Sequence, residues 1–310
     1  MSSKQNELKT VLITGGTGLL GKVLTKLLQD DGYKIRYLSR SKQQIKDVEV
    51  FQWNPSKGEI ELGALENLHG LIHLAGANVG EKAWTDKQRK RILDSRLDST
   101  KLLVEELETL EAKPSAIVSA SAIGYYMGQA GGVVFKEADR AGEGFLSVVT
   151  QKWENATDDF RTLNVPSTQL RIGIVLSTKG GALQKLLLPA KLFAGTHIGD
   201  GSQRMSWIHL EDVASMMKFC IESKMEGVYN AVAPQIVTNK SFSRSLRKVL
   251  GRFNIAPPFP AFILRLAMGE RASLVLEDLA VSNEKIQSTG FEFKFKDLDV
   301  ALKDLISRSL

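Results

Sequence analysis

The segment Thr10-Val-Leu-Ile-Thr-Gly-Gly-Thr-Gly-Leu-Leu-Gly21 decides how the first part of this 310-residue chain folds. Its first five residues are apolar or β-branched, which is typical of a strand that is buried on both faces. The glycines that follow match the spacing G-x-G-x-x-G, and the next apolar residues recur at helical spacing. We therefore expect a buried strand over Thr10–Thr14, a tight glycine turn, and a helix over Leu19–Asp30.

The glycine turn has the properties of an anion site. A tight strand-to-helix turn requires a positive φ, which glycine adopts at little cost. Bare backbone lets a pyrophosphate approach closely, and the helix N-terminus offers free N–H groups and the positive end of a dipole. In this strand–turn–helix context the turn predicts a dinucleotide site rather than a glycine-rich turn without a ligand. The predicted loop residues are Gly15, Gly16, Thr17, Gly18, Leu19, Leu20 and Gly21.

The second predicted strand, Lys34–Ser39, indicates which dinucleotide binds, because it runs into Ser39-Arg40-Ser41. Sites for NAD(H) usually carry an Asp or Glu here that accepts a hydrogen bond from the ribose 2′-hydroxyl, and a carboxylate would repel a 2′-phosphate. A guanidinium binds phosphate through a forked pair of charge-assisted hydrogen bonds, and a serine hydroxyl adds a donor. Ser39 and Arg40 therefore favour NADP(H). The alternative is that Arg40 is a solvated loop residue.

Strands and helices alternate as far as residue 175. This alternation implies right-handed crossovers and a parallel sheet that is covered on both faces. The strand patterns cover Val48–Trp53, Gly70–Ala75, Ser115–Ala120 and Ser167–Val175, and the helical patterns cover Lys87–Leu110 and Phe145–Leu163.

Beyond about residue 177 the rhythm loosens and the patterns are mostly helical. They cover Leu210–Glu222, Asn239–Leu250, Ala261–Met268, Leu274–Leu279 and Leu298–Leu310. We predict an α/β fold of the Rossmann type, a doubly wound parallel sheet with a smaller, mostly helical C-terminal lobe. The dinucleotide-binding domain is expected over residues 1–250, with substrate-lobe insertions after about residue 177, and a short C-terminal domain over residues 251–310.

Composition argues against several other classes of protein. Hydrophobic residues make up 43% of the chain and charged residues 25%, which is ordinary for a globular protein. The net charge of +6 is scattered rather than gathered, so nucleic acid is not an expected partner. The densest basic cluster, Lys87-Gln-Arg-Lys-Arg91, is interpreted as a solvated helix face, with a patch that faces phosphate as the alternative. We expect no metal, since no His/Cys/Asp/Glu cluster has ligand spacing.

The location of the protein is predicted from the same composition. The strongly apolar runs are shorter than the ~20 residues that a membrane helix needs, and no signal-peptide core precedes the first strand. The single cysteine, Cys220, lies in an apolar stretch and cannot form an internal disulfide. We therefore expect a cytoplasmic protein that does not bind membranes, whereas the oligomeric state is left open.

Several segments resemble the extended short-chain dehydrogenase/reductase superfamily, which contains nucleotide-sugar epimerases and dehydratases. Besides the glycine turn, they are His73-Leu-Ala-Gly-Ala-Asn78, Ser119-Ala-Ser-Ala-Ile-Gly-Tyr-Tyr126 and Trp207-Ile-His-Leu-Glu-Asp212. The resemblance implies that Ala75, Gly76 and Ala77 also contact the cofactor. It narrows to an atypical subgroup with its own short C-terminal domain, described as sugar-nucleotide epimerases or NADP-dependent oxidoreductases. The segments that narrow it are Ser95-Arg96, Leu170–Val175, Met205–His209 and Gly290-Phe-Glu-Phe.

The superfamily resemblance implies a Ser or Thr, a Tyr and a Lys around the nicotinamide, with Tyr and Lys one helical turn apart. Ser121 matches the serine at the strand end. The Tyr and Lys positions hold Leu146 and Thr150, and no Tyr-x-x-x-Lys occurs anywhere in the chain. The asparagine that the superfamily carries in the preceding helix is replaced by Arg96.

Two functions are compatible with this departure. In the first, the protein is an oxidoreductase or epimerase on a small polar, possibly nucleotide-linked substrate, and Tyr125 or Tyr126 replaces the missing acid beside Ser121. In the second, it binds NADP(H) without turnover, as a sensor or scaffold. Arg204 is a candidate for binding an anionic substrate group and His209 for contacting the substrate, although ordinary ion pairing and structural burial are the alternatives.

Overall fold

The computed structural model describes residues 9–129, 131–191, 196–252 and 257–308. The strands are β1 (Thr10–Thr14), β2 (Lys34–Ser39), β3 (Val48–Asn54), β4 (Glu59–Ile60), β5 (Leu68–His73), β6 (Ala116–Ala122), β7 (Val134–Phe135), β8 (Ser167–Ile172), β9 (Ile174–Leu176), β10 (Arg204–Met205), β11 (Trp207–His209), β12 (Gly227–Ala231), β13 (Val237–Thr238) and β14 (Ala280–Val281). The helices are α1 (Leu19–Asp30), α2 (Asp86–Thr109), α3 (Phe145–Asp158), α4 (Gly181–Lys191), α5 (Leu210–Glu222), α6 (Asn239–Val249), α7 (Ala261–Met268), α8 (Ser273–Leu276), α9 (Glu284–Gln287) and α10 (Leu298–Ser307).

Eight strands form the central sheet in the order β12-β8-β6-β5-β1-β2-β3-β4. Neighbouring strands are parallel except for β3 and β4, which are antiparallel. The order reverses between β1 and β5, and ligands of open α/β sheets bind in the crevice at such a reversal, outside the carboxyl ends of the strands. The Rossmann-type sheet and its mostly helical C-terminal region are confirmed.

The two faces of the sheet are covered by different helices. Val11 and Ile13 of β1 belong to one apolar cluster, which includes Leu24 of α1 and Val213 of α5. Leu12 points to the opposite face and packs in a second cluster that includes residues of α2. This alternation follows from the period of two in a strand, and it explains why β1 is apolar throughout.

The structure differs from the predicted elements at the far edge of the sheet. The expected strand Ser167–Val175 breaks at Gly173, where a Cβ would lie 2.7 Å from the carbonyl oxygen of Ser206. After this break β9 leaves the central sheet and pairs with β11. The edge of the central sheet beside β8 is formed by β12, a strand that the sequence pattern did not predict. The division into domains at residue 250 stays a prediction.

Candidate functional site

The glycine turn between β1 and α1 contains glycines with different roles. Gly15 has φ +70°, which favours glycine, and a Cβ at Gly21 would lie 2.5 Å from the Cα of Gly16. A Cβ at Gly16 would overlap the Tyr37 ring at 2.3 Å. At Gly18, by contrast, the one neighbour within 4 Å would be the carbonyl oxygen of Gly15, at 3.1 Å. The fold therefore requires the other glycines, whereas Gly18 leaves room at the N-terminus of α1.

A polar cleft of about 1030 Å³ opens at this turn. We define the polar cleft by the glycine turn, the end of β2, the segment after β5 and the start of α2. Nine of the twelve predicted cofactor residues line it, so the sequence motifs converge on one place. These residues are Gly15, Gly16, Thr17, Gly18, Ser39, Arg40, Ala75, Gly76 and Ala77. The other three, Leu19, Leu20 and Gly21, form the first turn of α1 and do not line the cleft.

Buried hydrogen bonds hold the segment after β5 against the glycine turn. The Thr14 hydroxyl oxygen accepts hydrogen bonds from the N–H groups of Leu74 (3.0 Å) and Ala75 (3.1 Å). The same hydroxyl lies 2.8 Å from Nδ1 of His73, whose Nε2 is 3.2 Å from the Thr100 hydroxyl. Because the Thr14 oxygen accepts two bonds, its proton points to Nδ1 and His73 carries its own proton on Nε2. Burial lowers the pKa of His73 to about 3, so this ring is neutral at physiological pH.

Basic residues gather at the outer end of the polar cleft. Arg40 is exposed after β2, and the first turns of α2 add Lys87, Lys90 and Arg91 to the lining. Lys90 forms an ion pair with Asp94 at 2.6 Å. These three residues of α2 are exposed, as expected for a solvated helix face, and they also line the polar cleft, whereas a contact with phosphate stays a prediction.

A second cavity of about 200 Å³ lies beyond the carboxyl ends of β6 and β8. We call it the apolar cavity, because most of the side chains that line it are apolar. Leu146 and Thr150 of α3 both line it, so the two positions expected to hold Tyr and Lys face one enclosed space. Further lining residues are Ala122, Ile123, Val149, Trp153, Ile172, Met205 and, from the C-terminal region, Leu274, Val275, Glu277 and Leu279.

Arg96 of α2 lies between the polar cleft and the apolar cavity. Its Nη1 donates to the carbonyl oxygens of Ala77 (3.1 Å) and Ile92 (2.8 Å). Its guanidinium carbon is 4.7 Å from the centre of the Trp153 ring and would be 3.0 Å from a Cβ at Gly76. Burial lowers the pKa of Arg96 to about 10, so the guanidinium remains charged at neutral pH.

The structure does not bring Ser121 into the polar cleft or the apolar cavity. Its hydroxyl donates to Oε1 of Glu154 at 2.5 Å, and both groups are buried. Glu154 also accepts two hydrogen bonds from the Arg171 guanidinium, at 2.8 and 2.7 Å. The Ser121 hydroxyl is therefore engaged with this buried ion pair, and its role toward a substrate stays a prediction.

Tyr125 and Tyr126 also lie outside both spaces. They end a 3₁₀ helix, Ile123–Tyr126, that turns their rings toward Arg171. The Tyr126 hydroxyl donates to Oδ1 of Asn230 (2.9 Å) and accepts from Nη1 of Arg171 (2.8 Å), and burial raises its pKa to about 12. The Arg171 guanidinium lies 3.4 Å from the centre of the Tyr125 ring. Both rings therefore lie against Arg171, and the prediction that one of the two phenols is a substitute acid stays a prediction.

The two predicted substrate-binding residues, Arg204 and His209, lie in different surroundings. Arg204 lines the apolar cavity, but its guanidinium is paired with both oxygens of Asp278, at 2.8 and 2.7 Å. His209 is 1% exposed, stacks on Phe295 with ring centres 3.7 Å apart, and lines neither space. Its Nδ1 accepts a hydrogen bond from the N–H of Glu211, which makes it the N-cap of α5. His209 therefore has a structural role at this helix end, and its contact with a substrate stays a prediction. Burial lowers the pKa of this ring to about 4.

Sequence reasoning missed Glu277, which lines the apolar cavity. Its Oε1 accepts a hydrogen bond from the N–H of Gly128 at 2.7 Å, while Oε2 is buried and has no hydrogen-bond partner among the described residues. Burial raises the pKa of this carboxyl. No motif surrounds Glu277 in the sequence, and only the fold brings it to the cavity.

In residues 9–129, 131–191, 196–252 and 257–308, no group of three His, Cys, Asp or Glu side chains could hold a metal ion. Within the same part of the chain, no helix has the length and apolarity that crossing a bilayer requires.

Comparison with known proteins places these features in a family. Residues 11–142 match the model of the NAD dependent epimerase/dehydratase family, and residues 259–305 match a domain of unknown function, DUF1731. Epimerase family protein YfhF of Bacillus subtilis is 32% identical over 300 residues, which cover 96% of this chain and 98% of that protein. Epimerase family protein SH2119 of Staphylococcus haemolyticus is 33% identical, with coverage of 96% and 99%.

Solved structures give the same result. The human epimerase family protein SDR39U1 (isoform 2), crystallised with NADPH, aligns with a TM-score of 0.84 and 30% identity over 96% of this chain and 99% of that one. UDP-glucose 4-epimerase of Thermus thermophilus, in complex with NAD, aligns with a TM-score of 0.74 over 97% of this chain and 100% of that one, and at 17% identity this is a likeness of fold alone. The chain therefore belongs to the NAD-dependent epimerase/dehydratase family, within the short-chain dehydrogenase/reductase superfamily that its motifs resemble.

Proposed function

We propose that this protein is an NADP(H)-dependent oxidoreductase that binds its cofactor in the polar cleft and a small substrate in the apolar cavity. The observation that carries the proposal is the polar cleft itself. Gly18, which leaves room for a ligand beside it, and the cationic Arg40 both line this space. A bound nicotinamide would supply or accept a hydride.

The residues of the polar cleft fit a phosphorylated dinucleotide. The first N–H groups of α1 have no partner within the helix, and its N-cap, Gly18, has no side chain to cap them. These N–H groups are suited to hold the pyrophosphate. Arg40 and the basic residues of α2 are suited to hold the 2′-phosphate, because no carboxylate follows β2 at positions 39–41. The NADPH found with the human relative supports the same choice.

The apolar cavity sets limits on the substrate. Its volume of about 200 Å³ is below the ~300–1,000 Å³ of pockets that hold drug-sized ligands. Leu146 and Val149 present hydrocarbon to it, whereas Arg96, at its border with the polar cleft, presents a positive charge. We therefore favour a small carbonyl or alcohol compound with an apolar body over the nucleotide-linked substrate expected from the sequence.

Cofactor preference can be tested by calorimetric titration of Arg40→Ala with NADPH and with NADH. Loss of charge-assisted bonds to a 2′-phosphate should weaken NADPH binding by ~1.5–3 kcal/mol and leave NADH binding nearly unchanged. Lys42→Ala is the matched control, because Lys42 is exposed two residues away and does not line the polar cleft. An Arg40→Ala variant that keeps the wild-type preference would contradict the assignment.

Cofactor binding without turnover is the second candidate function. The observation that favours it is the pair Leu146 and Thr150 in the apolar cavity, since neither side chain can act as the acid and base of the superfamily. The test is NADPH oxidation against a panel of aldehydes and ketones. Intact NADPH binding with no oxidation by any of them would favour this second function.

A further inference from the structure

Three buried polar atoms without partners belong to side chains that line the apolar cavity. Nε of Arg96, Nε1 of Trp153 and Oε2 of Glu277 are all buried and have no hydrogen-bond partner among the described residues. All three residues line this one cavity. Leaving a buried polar atom without a partner is unfavourable, so such atoms are uncommon unless a ligand or water completes them. A ligand of the apolar cavity that carries both an acceptor and a donor would match these two donors and one acceptor.

Glu277 is held in place for such a role. The N–H of Gly128 fixes one carboxyl oxygen at 2.7 Å and leaves the other oxygen uncommitted. Gly128 has φ +87°, and a Cβ there would lie 2.2 Å from the carbonyl oxygen of Glu143, so this donor belongs to a tightly packed turn. A carboxyl anchored at one oxygen presents the other in a defined direction.

The other side chains of the apolar cavity cannot exchange a proton near neutral pH. Among the described residues that line it, the titratable ones are Arg96, Arg204 and Glu277. Arg204 is ion-paired, which raises its pKa, and the pKa of Arg96 remains at about 10. Thr150 donates its hydroxyl proton to the carbonyl oxygen of Leu146. A general acid should have a pKa near the working pH, and Glu277 is the group whose pKa burial moves in that direction.

We propose that Glu277 is the general acid of the apolar cavity and donates the proton that completes reduction of a substrate carbonyl. The proposal rests on the proposed oxidoreductase function. NADPH held in the polar cleft would supply the hydride that forms the new C–H bond at the carbonyl carbon, and the electron pair of the C=O π bond would move onto oxygen. The O–H bond of the Glu277 carboxyl breaks, and its proton forms the new O–H bond. The products are an alcohol, NADP⁺ and a carboxylate at position 277, which recovers a proton from solvent.

The charges around Glu277 come from several elements. Arg96 of α2 and Arg204 of β10 face the apolar cavity, and Asp278 neutralises Arg204. On its other side Glu277 lines a shallow depression together with Arg265 of α7 and Glu270, whose carboxylate is paired with Arg89. Burial raises the pKa of the Glu277 carboxyl, the hydrogen bond from the Gly128 N–H lowers it, and burial is the larger effect.

The first test does not depend on turnover. Infrared difference spectra of the NADPH complex are recorded between about pH 5 and about pH 9, above the ordinary glutamate pKa of about 4.3. We expect a protonated-carboxyl band in the wild type that persists into this range. The band should be absent from Glu277→Gln and present in Glu292→Gln, a control at an exposed site. The glutamine keeps the oxygen that accepts from Gly128. A spectrum of Glu277→Gln identical to that of the wild type would overturn the proposal.

The second test measures proton transfer with acetophenone and its ring-substituted analogues as probes. For a ketone that the wild type reduces, Glu277→Gln should lower kcat by ~10²–10⁴-fold, with KM and the NADPH Kd little changed. The wild-type rate should fall as pH rises through the pKa of Glu277, because the acid form is required, and this dependence should vanish in the variant. An unchanged kcat and pH profile would overturn the proposal.

The outcomes separate the two proposals. If the wild-type protein does not bind NADPH, the proposed function is contradicted, whatever the protonation state of Glu277. Intact NADPH binding with wild-type behaviour of Glu277→Gln contradicts only the role of Glu277. If the wild type reduces none of the ketones, the infrared titration alone decides whether Glu277 holds an exchangeable proton near neutral pH.

Discussion

The polar cleft and the apolar cavity meet at Arg96 but are assembled from the chain in different ways. The polar cleft takes its lining from residues 15–98, in short runs that follow neighbouring strands. The apolar cavity takes its lining from residues scattered between positions 79 and 279, including the C-terminal region. Consecutive residues can form a recognisable motif, whereas scattered residues cannot. The chemistry of the cleft is therefore visible in the sequence, and that of the cavity emerges only from the fold.

The largest effect is expected beneath the apolar cavity, at the buried pair of Arg171 and Glu154. The variant Arg171→Met leaves a carboxylate buried without its partner, and the free energy of unfolding should fall by ~3–5 kcal/mol. Urea denaturation measures the loss. Arg161→Met is the control, because its ion pair with Asp158 is exposed and should contribute less than ~1 kcal/mol. Equal losses in the two variants would contradict a structural role for the buried pair.

A second comparison separates folding from binding in the polar cleft. A valine at Gly18 meets little of the fold but stands where we place the pyrophosphate, so Gly18→Val should weaken NADPH binding by at least ~2.8 kcal/mol, or ~100-fold. Its thermal stability should change little. Gly16→Val should lose both stability and binding, because its side chain would overlap Tyr37. Unchanged NADPH affinity in Gly18→Val would remove the glycine turn from the cofactor site.

Tyr126→Phe tests whether this phenol is structural. The change removes a buried hydroxyl that bonds to Asn230 and Arg171, and the free energy of unfolding should fall by ~1–3 kcal/mol. NADPH affinity should stay at the wild-type value. For any substrate that is found, turnover by the folded variant should also be retained. A large loss of turnover at unchanged stability would instead identify Tyr126 as a proton donor.

The smallest effect, measured per pH unit, should appear in the pH dependence of stability, through His73 behind the polar cleft. The unfolded chain binds a proton at this histidine below about pH 6.5, whereas the buried ring resists protonation until about pH 3. The stability that the neutral ring contributes should therefore fall as pH decreases through this window, by up to ~1.4 kcal/mol per pH unit. Denaturation at several pH values should show a shallower slope in His73→Gln than in the wild type. Equal slopes in the two proteins would contradict the neutral assignment.

A site residue could be predicted from the sequence when the residues that position it are close to it along the chain. The glycine turn and Arg40 were recognisable because both features are local, and the structure places them in one cleft. Ser121 and Tyr126 match a local motif too, but Arg171 and Glu154, far along the chain, turn them away from the cavity. Local sequence records the presence of a hydroxyl, whereas its direction is set by long-range partners.

Three further features that the sequence did not reveal have the same physical origin. His209 lies in a segment that resembles the family, and its burial against Phe295 depends on the C-terminal region. Glu277 belongs to no motif, and its importance rests on an oxygen without a partner in a mostly apolar space. The strand break at Gly173 depends on the close approach of Ser206. Each of these features is a contact between distant parts of the chain.

The most direct test of the central claim, that the polar cleft is an NADP(H) site, is a calorimetric titration of the wild-type protein with NADPH and with NADH at one ionic strength. Charge-assisted bonds from Arg40 to the 2′-phosphate predict that NADPH binds at least ~10-fold more tightly, since ~1.5 kcal/mol corresponds to about that ratio. Equal affinities, or tighter binding of NADH, would contradict the claim.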